Sequence, residues 1–110
     1  MDALDAILTS ATTNIVLTAG RAVSFAGVMS LIYYEAATGQ VHTVNGTFKV
    51  PFEERSFLSI PGGPPGRWVL APGFLAGVQS AHDRFGRADF GELFAPAIEI
   101  ADEGFIVSGG

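Results

Sequence analysis

Leu31-Ile32-Tyr33-Tyr34-Glu35-Ala36-Ala37-Thr38-Gly39-Gln40-Val41-His42-Thr43-Val44-Asn45-Gly46 decides the fold class. Aliphatic and aromatic residues run up to Tyr34, and β-branched residues resume at Val41. Thr38-Gly39-Gln40 between them supplies the turn, so the pattern predicts an antiparallel hairpin. Upstream, the run from Ala22 to Tyr34 is apolar at both alternating sets of positions: Val23, Phe25, Val28, Leu31 and Tyr33 against Ala22, Ala26, Met29, Ile32 and Tyr34. Such a run predicts a strand covered on both faces. Downstream, the second strand is expected over Val41–Val50. A lone hairpin is marginal in water. Ser56–Ile60 is the one further short strand the sequence offers, so missing strands are expected from another copy or another protein.

Helices flank the hairpin. Leu4, Ile7, Leu8, Ala11 and Ile15 recur at helical spacing, predicting a helix over Asp2–Leu17. Asp2 and Asp5 suit the positive end of its dipole, and Gly20 is placed to terminate it. Phe74 to Phe85 carries Phe74, Leu75, Val78, Ala81, His82 and Phe85 on one stripe, with Gly77 and Ala81 small enough for close approach to a neighbour. Asp89 and Glu92 have capping-box spacing. Pro96 restarts or kinks the chain, and Ala97–Glu103 completes a last helix before Gly104. The expected architecture is a single α/β domain over residues 1–110: a helix, a hairpin, then two or three helices.

Composition narrows function. Net charge is −5, with six basic residues scattered singly, which excludes a nucleic-acid footprint. There are no cysteines, hence no disulfide, thiolate metal site or thiol nucleophile. Charged residues make up 15% of the chain, well below the roughly 25% of ordinary soluble domains. A small globule with so little charge is expected to have part of its surface covered by another chain. Ile15–Tyr34 approaches a bilayer span, but Arg21 near its middle would cost roughly 2.5–3.5 kcal/mol on insertion, so no membrane span is expected. Met1-Asp2-Ala3-Leu4-Asp5 has no basic n-region and reads as no secretory signal, with a cytoplasmic location as the default. Pro61-Gly62-Gly63-Pro64-Pro65-Gly66 is a loop. Its three prolines remove three N–H donors and no Lys follows, so it is no phosphate cradle.

Two blocks near the C-terminus carry a resemblance. Pro72-Gly73-Phe74-Leu75-Ala76-Gly77 continues into Ala81-His82-Asp83-Arg84-Phe85-Gly86; then Pro96-Ala97-Ile98 leads to Ala101-Asp102-Glu103-Gly104-Phe105-Ile106-Val107. This resembles the large subunit of the γ-glutamyltranspeptidase family, where a PG-x-x-AG-x-x-x-AH-x-x-(F/Y)G block precedes a PAI-x-x-A-x-x-GF-x-V block. The hairpin is similar to the family's strand, Thr-Gly turn and strand, in the same order. The resemblance implies part of an αββα sandwich of the N-terminal-nucleophile hydrolases. In that class a threonine at a new N-terminus attacks the γ-glutamyl carbonyl, with its own amine as base. It implies no cofactor and no metal.

Two departures accompany it. Thr12-Thr13 is the only Thr-Thr pair, and it falls in the predicted helix without the family's Gly-Thr-Thr setting. Aligned on Asn45-Gly46 and Pro51, Thr47 stands where the family has the arginine that holds the substrate's α-carboxylate. A threonine cannot form that bidentate, charge-assisted bond. The resemblance therefore implies a pocket wall at Asn45, Thr47 and Lys49, continuing to Glu53 and Arg55. Lys49 shares a strand face with Thr47 and could stand in as a point charge. Catalytic residues are not assigned. His42 in the hairpin and His82 on the apolar stripe read as structural, and neither shows metal spacing with the carboxylates. Arg67-Trp68 reads as packing against the hairpin. The partners implied are a second hydrolase subunit or further copies of this chain, with a small molecule as ligand.

Overall fold

The computed structural model describes residues 2–19, 21, 23–49 and 71–106. The expected strand at Ser56–Ile60, the 61–66 loop, Glu53, Arg55, Arg67-Trp68 and the helix stop at Gly20 lie outside the described residues. Helix α1 spans Ala3–Leu17, strand β1 Met29–Glu35 and strand β2 Gln40–Gly46. Helix α2 spans Phe74–Phe85, and a 3-10 turn at Gly91–Phe94 leads directly into helix α3, Ala95–Glu103.

α1 begins where its acidic residues can serve the free N–H groups of the first turn. Asp2 Oδ1 accepts from Leu4 N at 3.0 Å and Asp5 N at 3.1 Å, while Asp5 Oδ2 accepts from Asp2 N at 3.1 Å. This reciprocal cap satisfies three N–H groups at once. Leu4, Leu8, Thr12 and Ile15 form the buried stripe. Ile7, expected on that stripe, is 53% exposed instead. Thr12 holds the buried position that follows Leu8, and its hydroxyl donates to Leu93 O at 3.0 Å, tying α1 to the 3-10 turn.

At the other end of α1 the Thr18 hydroxyl lies within hydrogen-bonding distance of Asn14 O and Ile15 O, capping two of the last carbonyls. Ala19 then turns the chain with φ of 49°. That left-handed conformation costs a side-chain-bearing residue about 1–2 kcal/mol. Ala19→Gly is therefore expected to raise stability by about 0.5–1 kcal/mol, the relieved strain being partly offset by a more disordered unfolded chain. Urea unfolding measures it; an unchanged or lower midpoint would show that this turn carries no strain.

β1 and β2 pair antiparallel with Tyr33 opposite His42 and Ile32 opposite Thr43. Gly39 closes the connection with φ of 69°. β1 starts at Met29, seven residues later than the apolar run suggests. The cause is local: Ser24 Oγ accepts from Ala26 N, and Ser24 O accepts from Gly27 N, both at 2.9 Å. A serine-led turn folds this part of the run off the sheet. The strand is also not covered on both faces. Its burial alternates, with Met29, Leu31 and Tyr33 packed on the core and Ile32 and Tyr34 78% and 62% exposed. The helices cover one face of the hairpin only; on the other, Val41 joins Ile32 and Tyr34 as an uncovered apolar patch.

The core gathers Leu4, Leu8 and Ile15 of α1, Val44 of β2, Phe74, Val78 and Ala81 of α2, and Leu93. α2 crosses β2 closely because both lack side chains at the crossing. A Cβ on Gly46 would lie 2.5 Å from Gly73 O and 3.0 Å from Gly77 Cα. The segment after α2 folds back onto the start of α1, where Asp5 accepts from Arg87 N and Ala88 N at 3.1 Å each. The described chain is thus an α/β unit: one helical layer on a two-stranded sheet.

Candidate functional site

The crossing of β2 and α2 sets up a groove of about 300 Å³. β2 ends at Gly46, but Lys49 N donates to Ala71 O at 3.0 Å, so the chain stays extended beyond the strand. Asn45, Thr47 and Lys49 line the groove together with Thr43, Val44 and Gly46, whereas Phe48 lines a different cavity. Three of the five pocket residues named from sequence therefore share one surface feature; Glu53 and Arg55 lie outside the described residues.

The opposite wall belongs to α2. Ala76, Ser80 and Arg84 are spaced one turn apart on one face and all line the groove. Arg84 was not singled out by sequence reasoning, although its spacing from Ser80 was the available signal. Its Nη1 donates to Thr43 O at 3.4 Å, and its guanidinium lies 4.8 Å from the centre of the Phe85 ring. Contacts of that kind orient an exposed guanidinium without neutralising it. Among the described residues the groove holds two cations, Lys49 and Arg84, and no carboxylate. Asn45 is partly engaged, since Ser30 Oγ donates to its Oδ1 at 3.2 Å. Such a surface can hold an anion and supply hydroxyl and amide hydrogen bonds.

The two histidines lie elsewhere. His42 faces α2, with its ring 4.8 Å from Phe85, and its Nε2 is 3.4 Å from Glu35 Oε2. The Thr38 hydroxyl, which donates to Glu35 Oε2 at 2.6 Å, is the main cause holding the Glu35 carboxyl below its usual range. The His42 ring adds to it. His82 Nε2 donates to Ala88 O at 2.8 Å, closing the loop after α2, and its ring packs against Phe90 at 5.2 Å. Both rings thus make packing contacts with aromatic neighbours outside the groove. Among the described residues no cluster of three metal-ligating side chains exists, and no helix is long and apolar enough to cross a membrane.

Thr12 and Thr13 sit in the middle of α1. Thr12 is fully buried, with its hydroxyl within hydrogen-bonding distance of Thr9 O and Leu93 O. Thr13 Oγ1 is buried without a partner among the described residues. Neither has a free amine, and a helix interior offers no access for a carbonyl substrate.

The arrangement of hairpin and helices has counterparts in known proteins. The chain is 32% identical over 93 residues to the glutathione hydrolase 5 proenzyme of mouse, which is 79% of this chain and 16% of that protein. Its structure superposes on the Bacillus anthracis transpeptidase enzyme CapD with a TM-score of 0.77 at 23% identity, over 98% of this chain and 34% of that one. It superposes on the γ-glutamyltranspeptidase of Helicobacter pylori with a TM-score of 0.78 at 22% identity, over 97% and 33%. The chain thus spans about a sixth of the curated relative and a third of each solved chain. The sequence profile of the γ-glutamyltranspeptidase family matches residues 2–109. This chain belongs to the γ-glutamyltranspeptidase family.

Proposed function

We propose that this chain is a large-subunit segment of a γ-glutamyltranspeptidase-like amidohydrolase, supplying scaffold and one pocket wall and inactive by itself. The observation that carries this reading is the groove at the end of β2, lined by Asn45, Thr47 and Lys49, in a family member that spans a small part of its relatives. A partner segment would bring the nucleophilic threonine, because Thr12 and Thr13 are locked inside α1. The pure chain is then expected to give no turnover of a γ-glutamyl anilide above the buffer blank and to keep its intact mass over days. Turnover, or cleavage before Thr12 or Thr13, contradicts the inactive-segment reading.

The pocket wall has its own test. Thr47 leaves this groove without a guanidinium at the position where the family places one. Thr47→Arg is expected to tighten binding of γ-glutamyl compounds about tenfold, the worth of one good charge-assisted pair on a partly exposed surface. Amide-shift titration of both proteins measures it. Equal affinities, or shifts confined to residues 86–103, would place any binding elsewhere.

A second reading is that the chain assembles with itself. The observation favouring it is the uncovered face carrying Ile32, Tyr34 and Val41. Such a face fits a second sheet packed about 10 Å away, from a further copy in this reading and from the missing segment in the first. Sedimentation as a monomer at micromolar concentration rules out the self-assembled form. If wild type is oligomeric, Ile32→Lys should dissociate it, because that side chain points away from the core.

A further inference from the structure

We propose that a second cavity, on the other side of the extended segment after β2, binds a small carboxylate with an apolar body. It is a concavity of about 470 Å³ between the C-terminal half of α1, Arg21 and Val23–Val28, Phe48 and the first residue of α2. That volume lies within the roughly 300–1,000 Å³ range of small-molecule pockets. Its floor is pre-formed: Ile15 and Phe74 line it while belonging to the main core. Phe74 is fixed twice, by donating its N–H to Gly27 O at 3.2 Å and by an edge contact with the Phe25 ring at 5.9 Å. The walls carry Val23, Val28 and Phe48, each between 41% and 48% exposed. Large apolar side chains left half in water around one concavity mark a place that an apolar body can fill.

Charge selects the ligand class. Among the described residues the lining contains one cation, Arg21, and no carboxylate, in a chain of net charge −5. Arg21 N donates to Thr18 O at 3.0 Å, and Thr18 N to Asn14 O at 3.0 Å. These bonds hold Arg21 and Asn14 together at the C-terminal end of α1, and both line the cavity. A guanidinium suits a carboxylate, which accepts two parallel hydrogen bonds from the fork. Arg21 has an alternative occupation, the negative end of the α1 dipole, but that would not require three half-exposed apolar residues around it.

The probe is octanoate, with octan-1-ol as its uncharged counterpart, titrated into the full chain and followed by amide shifts. Octanoate is expected to produce saturable shifts at Ala11, Asn14, Val28 and Phe74. Arg21→Gln, an exposed substitution, should weaken octanoate by about fivefold or more and leave octan-1-ol unchanged. Val28→Trp, which fills the cavity from its half-exposed wall, should abolish both. If Arg21→Gln weakens neither ligand, the guanidinium selects nothing and the proposal falls. No saturable shift, or shifts away from these residues, overturns it as well. Neither outcome depends on the groove lined by Thr47 and Lys49.

Discussion

Asp5→Ala is expected to cost about 3–4 kcal/mol, a large share of the 5–15 kcal/mol that holds a domain together. Asp5 is fully buried, yet it is satisfied as a carboxylate. It accepts from Asp2 N, Arg87 N and Ala88 N, each at 3.1 Å. Alanine orphans all three donors, each part-buried, at roughly 1–3 kcal/mol apiece less what water recovers. Asp5→Asn should fall between, since one amide oxygen remains to accept. The acid limb of the stability profile provides a second readout. Burial by itself would push the Asp5 carboxyl up, but the three backbone N–H groups outweigh it and hold the group below its ordinary 3.8. A lowered folded value means that the stabilisation is present above 3.8 and is lost as pH falls through the folded value. Glu35, lowered from 4.5, begins to lose its smaller contribution at that higher pH. Urea unfolding between pH 7 and pH 2 should therefore show a shallower acid slope for Asp5→Ala than for wild type. A loss under 1 kcal/mol at pH 7 would mean that Asp5 is no anchor.

The reach of the sequence is set by how local each cause is. The hairpin was legible because its cause lies within sixteen residues: an aliphatic and aromatic run before a Thr-Gly turn and a run rich in β-branched residues after it. The start of β1 was not, because an apolar run reads the same whether it is a covered strand or a strand preceded by a folded-back turn. The Ser24 turn decides between them through two short hydrogen bonds. Asp5 was read as a helix-dipole residue, which it is, but its larger role depends on Arg87, 82 residues away. Nothing near Asp5 announces that contact. Ile7 and Thr12 show the complementary error. Helical spacing allows either to join the stripe, and the Leu93 carbonyl selects the threonine. Thr47 and Lys49, named together from the sequence, both line the groove, and helical spacing would have added Arg84.

Gly73→Ala should be among the most damaging conservative changes in this chain, costing about 3 kcal/mol or more. Overpacking a tight site usually costs 1–3 kcal/mol, and here the obstacle cannot turn aside. A Cβ at Gly73 would lie 2.5 Å from the carbonyl carbon and oxygen of Gly46 and closer still to Thr47 O, all backbone atoms. Either β2 must leave α2 or the first turn of α2 must unwind. Gly77→Ala on the same helix makes an instructive contrast. Its nearest obstacle is Met29 Sδ at 2.6 Å, the flexible end of a side chain, with Gly46 Cα at 3.3 Å behind it. Met29 can swing away, and alanine returns up to about 1 kcal/mol of helix propensity. The two effects nearly cancel, so Gly77→Ala should stay within about 1 kcal/mol of wild type. The pair separates close backbone approach from a general preference for small residues. The consequence extends to the groove, because Gly73 lines it where the strand end bearing Thr47 meets the helix bearing Arg84. Whatever the groove binds should therefore bind more weakly to Gly73→Ala even where the variant remains folded. Thermal unfolding of the two variants side by side decides the matter: equal losses, or a Gly73→Ala loss within about 0.5 kcal/mol of zero, would show that β2 and α2 do not meet backbone to backbone.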